Sequence, residues 1–184
     1  PALILTRSLT PFPELMEMAV KHKRTVLRSE EDTSLFIPNL TDWLKARLSP
    51  RITRHGVLVE VYGEGILLLG ESGVGKSETA VELVKRGHRL VADDAVEIRH
   101  IGTRLVGSAP ELIRHYIELR GIGVVDIQQL FGMSAVLEEQ AINLVVNLEQ
   151  WNDQVFYDRL GTNEEFTTIL DMKIPSITIP IKPG

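Results

Sequence analysis

Residues 70–77 constrain this chain more than any other segment, and they read Gly-Glu-Ser-Gly-Val-Gly-Lys-Ser. They fit the pattern G-x-x-x-x-G-K-[ST] and lie between the apolar run 66–69 and a segment whose apolar residues recur at helical spacing. Glycines at positions 70, 73 and 75 permit the positive φ angles that a loop of inward-pointing backbone N–H groups requires. The segment therefore predicts a P-loop, which is a strand–loop–helix turn that binds phosphate groups.

Each residue of the P-loop has an expected part in holding phosphate. The candidate phosphate-binding residues are Gly70, Glu71, Ser72, Gly73, Val74, Gly75, Lys76 and Ser77. The Lys76 ammonium is expected to pair with the outer phosphates, and the Ser77 hydroxyl is expected to reach a Mg²⁺ ion. The dipole of the following helix adds partial positive charge at the same place. The alternative is an ordinary glycine-rich turn with an exposed lysine.

Two adjacent carboxylates, Asp93 and Asp94, follow a predicted apolar strand at residues 89–92. P-loop proteins place a metal-binding carboxylate at such a strand end. Neighbouring side chains on an extended chain point to opposite faces, so one carboxylate is expected to face the metal or the core and the other an acceptor. The alternative is a pair of capping or turn aspartates.

Three further polar residues could have either a structural or a functional role when each is considered alone. His55 precedes a predicted strand that begins at Val57, and a packed or surface histidine is the simpler interpretation. Glu118 has apolar neighbours, so its carboxylate needs a partner or a cation if it is buried. Arg159 alone fits a surface ion pair.

The sequence predicts two structural parts, residues 1–50 and residues 51–184. The first part has a strand–helix–strand–helix pattern and is expected to be the C-terminal part of an upstream α/β domain with its linker. Its second helix is predicted at residues 40–48, with a cap at residue 39 or 41. In the second part, prolines at 175 and 180 indicate that the last strand, residues 174–181, lies at a sheet edge.

Composition narrows the classes of function. The chain has no cysteine, which excludes thiol nucleophiles and disulfide scaffolds and favours a reducing compartment. A net charge of −5 argues against nucleic acid as a partner. No apolar run approaches the ~20 residues that span a bilayer. With no signal peptide recognisable at Pro1, we expect a cytoplasmic protein without a membrane anchor.

Four stretches together resemble bacterial HPr kinase/phosphorylase. They are residues 54–63 (RHGVLVEVYG), the P-loop with Glu78, residues 87–94 (GHRLVADD) and residues 118–127 (ELRGIGVVDI). The resemblance extends over residues 1–184 and is densest from residue 51. It implies an α/β fold, in which a P-loop kinase domain with a central mixed sheet flanked by helices is preceded by part of a small α/β domain. The chain ends before the C-terminal helix that the family has, and residues 131–136 carry Met-Ser where two small residues are expected.

The family resemblance implies a bifunctional enzyme with a role in carbon catabolite repression. Such enzymes use Mg²⁺ and either ATP or pyrophosphate to phosphorylate a regulatory serine of the phosphocarrier protein HPr. They also reverse the reaction, when inorganic phosphate attacks phosphoserine and pyrophosphate is released. A homohexamer and a cytoplasmic location are implied as well, with neither nucleic acid nor membrane as a partner.

The family motifs also assign roles to single residues of this chain. By resemblance, the catalytic residues are His55, Lys76, Asp94 and Arg159, and the magnesium ligands are Ser77 and Glu118. The carboxylate of Asp94 is implied as the base for phosphorylation and the acid for the reverse reaction. Residues 118–127 as a whole are implied to take part in both directions.

Two other functions stay open at this point. A P-loop kinase of a small metabolite would share the phosphate loop but not the protein partner. A nucleotide-sensing module would bind without turnover, and it predicts that loss of the Asp94 carboxylate leaves all output unchanged. Motifs that read guanine or mark ABC transporters are absent from the sequence, so GTPases and those transporters are excluded.

Overall fold

Two compact units, Pro1–Leu48 and Ser49–Gly184, make up the chain. The computed structural model describes residues 1–154 and residues 164–182. No helix in that described part is long and apolar enough to cross a membrane.

The first unit is a small strand–helix–strand–helix arrangement. Its elements are β1 (Ala2–Leu5), α1 (Pro13–Lys21), β2 (Thr25–Arg28) and α2 (Thr33–Leu48). The two strands pair in parallel, and Pro13 occupies the first turn of α1, where a missing N–H costs nothing. The predicted start of the second helix was wrong. The Asp32 carbonyl already accepts the N–H groups of Leu35 and Phe36, and Pro38 lies inside α2 without ending it.

The second unit is built on a large mixed sheet, which confirms the predicted α/β class. Its strands are β3 (Arg51–His55), β4 (Val57–Val61), β5 (Glu64–Gly70), β6 (Arg89–Ala92), β7 (Ala95–Ile101), β8 (Arg104–Ser108), β11 (Glu139–Gln150), β12 (Glu165–Ile169) and β13 (Met172–Ile181). In the described residues the order is β3-β7-β8-β11-β5-β4-β6, with β13 on β11 and β12 on β13. The long strand β11 joins the two halves, because its start pairs with β8 and its remainder with β5 and β13.

A separate antiparallel hairpin contains most of residues 118–127, the last of the four stretches that resemble the family. It consists of β9 (Tyr116–Leu119) and β10 (Gly123–Asp126), and β10 leads into the short helix α4 (Ile127–Phe131). Asp126 caps that helix by accepting the N–H of Gln129.

The core lies on both faces of β4 and β5, so most residues of these strands are apolar. Val57 and Val59 face one cluster and Leu58 faces the other. The helix α3 (Lys76–Lys85) buries Ala80 and Val84 in the first of these clusters. Because α3 is held against the sheet in this way, the loop between β5 and α3 has a fixed position.

The last strand, β13, is paired on only one side over most of its length within the described residues, which is the edge environment that its prolines predict, but its partner changes along the strand. β13 pairs with β12 over its first half and with β11 over its second half. The staggered pairing accommodates both prolines. Pro175 lies in the half paired to β12 and Pro180 in the half paired to β11, so each has one side without a described ladder partner.

An ion pair between buried Glu60 and partly exposed Arg89 fastens β4 to β6 at the end of the sheet remote from the P-loop. Arg89 Nε donates to Glu60 Oε2 at 2.6 Å, and the Gly63 N–H donates to the other carboxylate oxygen. The Arg89 hydrogen bond is the main reason that the pKa of Glu60 lies below its usual value. The folded state therefore gains stability from this carboxylate above the usual glutamate pKa and loses it as the pH falls through the lowered value.

Glu60→Gln is accordingly expected to lower the free energy of unfolding by about 2 kcal/mol at pH 7. The deficit relative to the unaltered chain should shrink at an acidic pH below the lowered pKa of Glu60, where the carboxyl group of the unaltered chain is neutral as well. Urea unfolding at the two pH values measures it, with exposed Glu97→Gln as the control. A deficit of the same size at both pH values would contradict the assignment to the ion pair.

Candidate active site

The P-loop joins β5 to α3 and has the conformation that its glycines predict. Gly73 and Gly75 have φ angles of 83° and 105°, a region in which side chains are strained. Gly70, at φ 146°, approaches the backbone of Leu148 so closely that a Cβ would overlap its carbonyl. The residue after Gly75 begins α3, so the helix N-terminus points its free N–H groups toward the loop.

Lys76 is buried, although it is a lysine at the start of a helix. Its Nζ donates to the carbonyl oxygens of Gly70 and Glu71, each at 2.9 Å. An ammonium has three N–H donors, so one remains for a ligand. The side chain therefore closes the loop on itself and leaves its charge in the cleft that the loop lines.

Asp93 is the buried member of the carboxylate pair, with 4% of its surface exposed. Its Oδ1 accepts the Ser77 hydroxyl at 2.8 Å, and its Oδ2 accepts the Glu118 N–H at 3.0 Å. Burial raises the pKa of Asp93 above its usual value, and the charge of neighbouring Asp94 adds to the rise, while the two hydrogen bonds oppose it. This side chain thus ties the start of α3 to β9.

Asp94 is the exposed member, and its carboxylate lies beside His55. His55 Nδ1 is 3.0 Å from Asp94 Oδ1 and also 3.0 Å from the Asp94 carbonyl oxygen. The Gly56 N–H donates to that same carbonyl. The register of β3 with β7, which sets His55 opposite Ala95, brings the histidine there. The Asp94 side chain is 67% exposed, so an incoming hydroxyl group has access to it.

A single cleft unites these groups. It encloses about 170 Å³, and its lining includes His55, Lys76, Ser77, Asp94, Glu118 and Arg120. Of the sequence-predicted site residues, Arg159 lies outside the described residues. The other predicted catalytic and metal residues all line this one cleft, although the chain separates them by up to 63 positions from His55 to Glu118.

Two residues of the site were not assigned from the sequence. The Asp-Asp pair left open which carboxylate is buried, and Asp93 is that one. Arg120 belongs to the motif at residues 118–127, which assigns it no role of its own. The spacing of Glu118 and Arg120 was the available signal, because residues two apart on an extended strand share a face.

The oxygen donors in the cleft fit Mg²⁺. They are the Ser77 hydroxyl and the Glu118 carboxylate, with buried Asp93 between them, and hard oxygen ligands are what this ion prefers. Because Ser77 gives its hydrogen to Asp93, its oxygen lone pairs are left for a cation. Within residues 1–154 and 164–182, no group of three or more His, Asp or Glu side chains could hold a metal ion by itself.

Comparisons with known proteins agree on one family. Residues 46–184 match the family model of the HPr serine kinase C-terminal domain, and residues 1–44 match that of the HPr serine kinase N terminus. The HPr kinase/phosphorylase of Caldanaerobacter subterraneus subsp. tengcongensis is 56% identical over 100% of this chain and 61% of its own length. That of Clostridium acetobutylicum is 49% identical over 100% of this chain and 60% of its own.

A solved structure gives the same result. The Hpr(Ser) kinase/phosphatase from Coxiella burnetii superposes with a TM-score of 0.66 at 33% identity, covering 71% of this chain and 86% of that one. The chain spans about three fifths of the length of the curated relatives it matches. With both family models matched along its length, this chain belongs to the HPr serine kinase family.

Proposed function

We propose that this chain carries the catalytic centre of a bifunctional HPr serine kinase/phosphorylase. In one direction it transfers a phosphoryl group from ATP or pyrophosphate to a serine of HPr. In the other, inorganic phosphate takes that group back and pyrophosphate is released. The observation that carries the proposal is one cleft in which the P-loop lysine and serine lie beside an exposed aspartate braced by a histidine.

Phosphorylation begins at Asp94, whose exposed carboxylate takes the proton of the seryl hydroxyl. The seryl oxygen attacks the terminal phosphorus of the donor, a new P–O bond forms, and the bond to the bridging oxygen breaks. ADP or inorganic phosphate leaves with the bridging electrons. His55 keeps the Asp94 carboxylate in place through the contact at 3.0 Å.

The reverse reaction uses the same groups in opposite roles. An oxygen of inorganic phosphate attacks the phosphoserine phosphorus, and pyrophosphate forms. The seryl oxygen leaves and takes the proton from Asp94, which now acts as an acid, as microscopic reversibility requires. Lys76 and the loop N–H groups hold the attacking phosphate in this direction and the donor in the other.

Ser77 and Glu118 are the residues that would hold Mg²⁺. When bound, the ion neutralises charge on the phosphate oxygens. Asp93 positions both ligands, because it accepts a hydrogen bond from the Ser77 hydroxyl and another from the Glu118 backbone. Arg159 is proposed as a further cation for the transferring group. Hexameric assembly, cytoplasmic location and a role in carbon catabolite repression stay predictions.

Ser77→Ala and Glu118→Gln are each expected to raise the Mg²⁺ concentration for half-maximal transfer by about tenfold or more, because each removes one oxygen ligand. Titration of Mg²⁺ at saturating pyrophosphate measures the change, and exposed Glu97→Gln is the control. An unchanged Mg²⁺ requirement in both variants would remove these residues from the metal site.

The proposed activity is tested by incubating the chain with HPr and ³²P-labelled ATP. Incorporation of label into HPr is expected, and none into an HPr variant that lacks the target serine. If the chain binds magnesium pyrophosphate but labels only small molecules in a cell extract, the metabolite-kinase alternative is correct instead.

A further inference from the structure

Arg120 lies on the wall of the cleft that faces the P-loop. It follows directly after β9, two residues beyond Glu118, and both side chains line the cleft. The spacing accounts for this arrangement, because alternate residues of an extended strand project to the same side. One strand end therefore presents a carboxylate and a guanidinium to the same space.

The Arg120 guanidinium lies directly against the P-loop at Gly73. A Cβ built on Gly73 would overlap both terminal nitrogens and the central carbon of that guanidinium. The space that a side chain at position 73 would enter is thus occupied by the guanidinium, which is the far end of an exposed side chain.

The charge of Arg120 has no partner within the described part of the chain. Its side chain is exposed, and it makes neither an ion pair nor a hydrogen bond to any described residue, although Glu118, Asp93 and Asp94 line the same cleft. The Lys76 ammonium, by contrast, spends two of its three donors on loop carbonyls. Arg120 is therefore the group in this cleft with the most N–H donors left for a ligand.

We propose that Arg120 binds the phosphoryl oxygens held by the P-loop. Its planar guanidinium donates to them from the side opposite the loop N–H groups. This inference rests on the proposed function, from which it takes the loop as a phosphate site, and it adds a specific polyphosphate-binding residue. A guanidinium suits the task because it stays charged and can donate two parallel hydrogen bonds to one phosphate. The chemical class recognised is a polyphosphate, either pyrophosphate or the phosphate end of a nucleotide.

Calorimetric titration of the chain with magnesium pyrophosphate tests the proposal, at constant ionic strength and without HPr. Arg120→Ala is expected to bind about 10- to 100-fold more weakly, the loss of a charge-assisted hydrogen-bonded pair. Arg120→Lys keeps the positive charge but cannot donate two parallel hydrogen bonds, so it should recover part of the affinity. Such a recovery would show that the loss in Arg120→Ala does not come from unfolding. Arg104→Ala, on β8 and outside the cleft lining, should bind as the unaltered chain does.

The same titration with ATP distinguishes the two sources of polyphosphate, and a similar factor is expected for both because the contact is to phosphate. Unaltered pyrophosphate and ATP affinities in Arg120→Ala would overturn the inference. If Arg120→Ala kept its affinity while Lys76→Met lost pyrophosphate binding, only the role of Arg120 would be wrong and the proposed function would still stand. If the unaltered chain bound no pyrophosphate, the phosphate site itself would fail, and this inference with it.

Discussion

Asp94→Asn is expected to lower both phosphorylation of HPr and phosphorolysis of phosphoserine-HPr by about a thousandfold, while magnesium pyrophosphate binds with unchanged affinity. General acid–base catalysis by a positioned side chain contributes factors of about 10²–10⁴. An amide cannot take the seryl proton, yet it has the size of the carboxylate and can still accept a hydrogen bond from His55. Asparagine also tolerates the left-handed backbone of this residue, at φ 66°, so the variant should fold.

The chain offers a matched control for this variant. Asp171 is also an exposed aspartate in the left-handed region, at φ 63°, and it lies in the turn between β12 and β13 rather than in the cleft. Asp171→Asn should leave both rates unchanged. If Asp94→Asn kept more than a tenth of either rate, Asp94 would not be the proton carrier in that direction. The alternative of a module that binds nucleotide without turnover predicts that the variant changes no output at all.

Lys76→Met is expected to weaken pyrophosphate binding by about a hundredfold and to abolish detectable transfer. The ammonium is the buried cation of the P-loop, and its two hydrogen bonds close the loop around the space that phosphate would fill. Methionine has a similar length and apolar stem but no charge, so packing is largely kept. Both the phosphate contact and the loop closure are therefore lost together.

Lys85→Met is the control, because this lysine lies at the other end of α3 and pairs with Glu82 on the exposed face. Thermal unfolding of both variants establishes that they are folded. Pyrophosphate affinity within threefold of the unaltered chain in Lys76→Met would show that the loop does not use this lysine for phosphate.

The local part of the site was predictable from the sequence because its signals are local. The glycines, the lysine and the flanking apolar patterns lie within about twenty residues, and together they specify a P-loop between β5 and α3. The strand before the aspartate pair was equally clear. These features follow from backbone geometry and burial, which a short stretch of sequence encodes.

The long-range part of the site was not predictable from the residues alone. His55 reaches Asp94 only through the register of β3 with β7, and Arg120, directly after β9, lies against Gly73 although the two residues are far apart in the chain. A pattern read along the chain does not contain either pairing. Before the structure, only the family resemblance singled out His55 as an expected catalytic residue.

Asp93 and Asp94 point to opposite sides as predicted, but for a different physical reason. Alternation on an extended strand predicted that the two carboxylates point apart. They do differ, but Asp94 follows the end of β6 and turns outward in a left-handed conformation, while Asp93 is held inward by Ser77 and Glu118. The turn and two hydrogen bonds, rather than the pleat, decide which carboxylate is buried.

Incubation of serine-phosphorylated HPr with the chain, Mg²⁺ and inorganic phosphate tests the proposed chemistry most directly. If Asp94 protonates the departing seryl oxygen while the P-loop holds the attacking phosphate, one pyrophosphate forms for each HPr dephosphorylated, and none forms when phosphate is left out. Release of orthophosphate alone, at a rate independent of added phosphate, would mean that water is the nucleophile and would contradict the phosphorylase assignment.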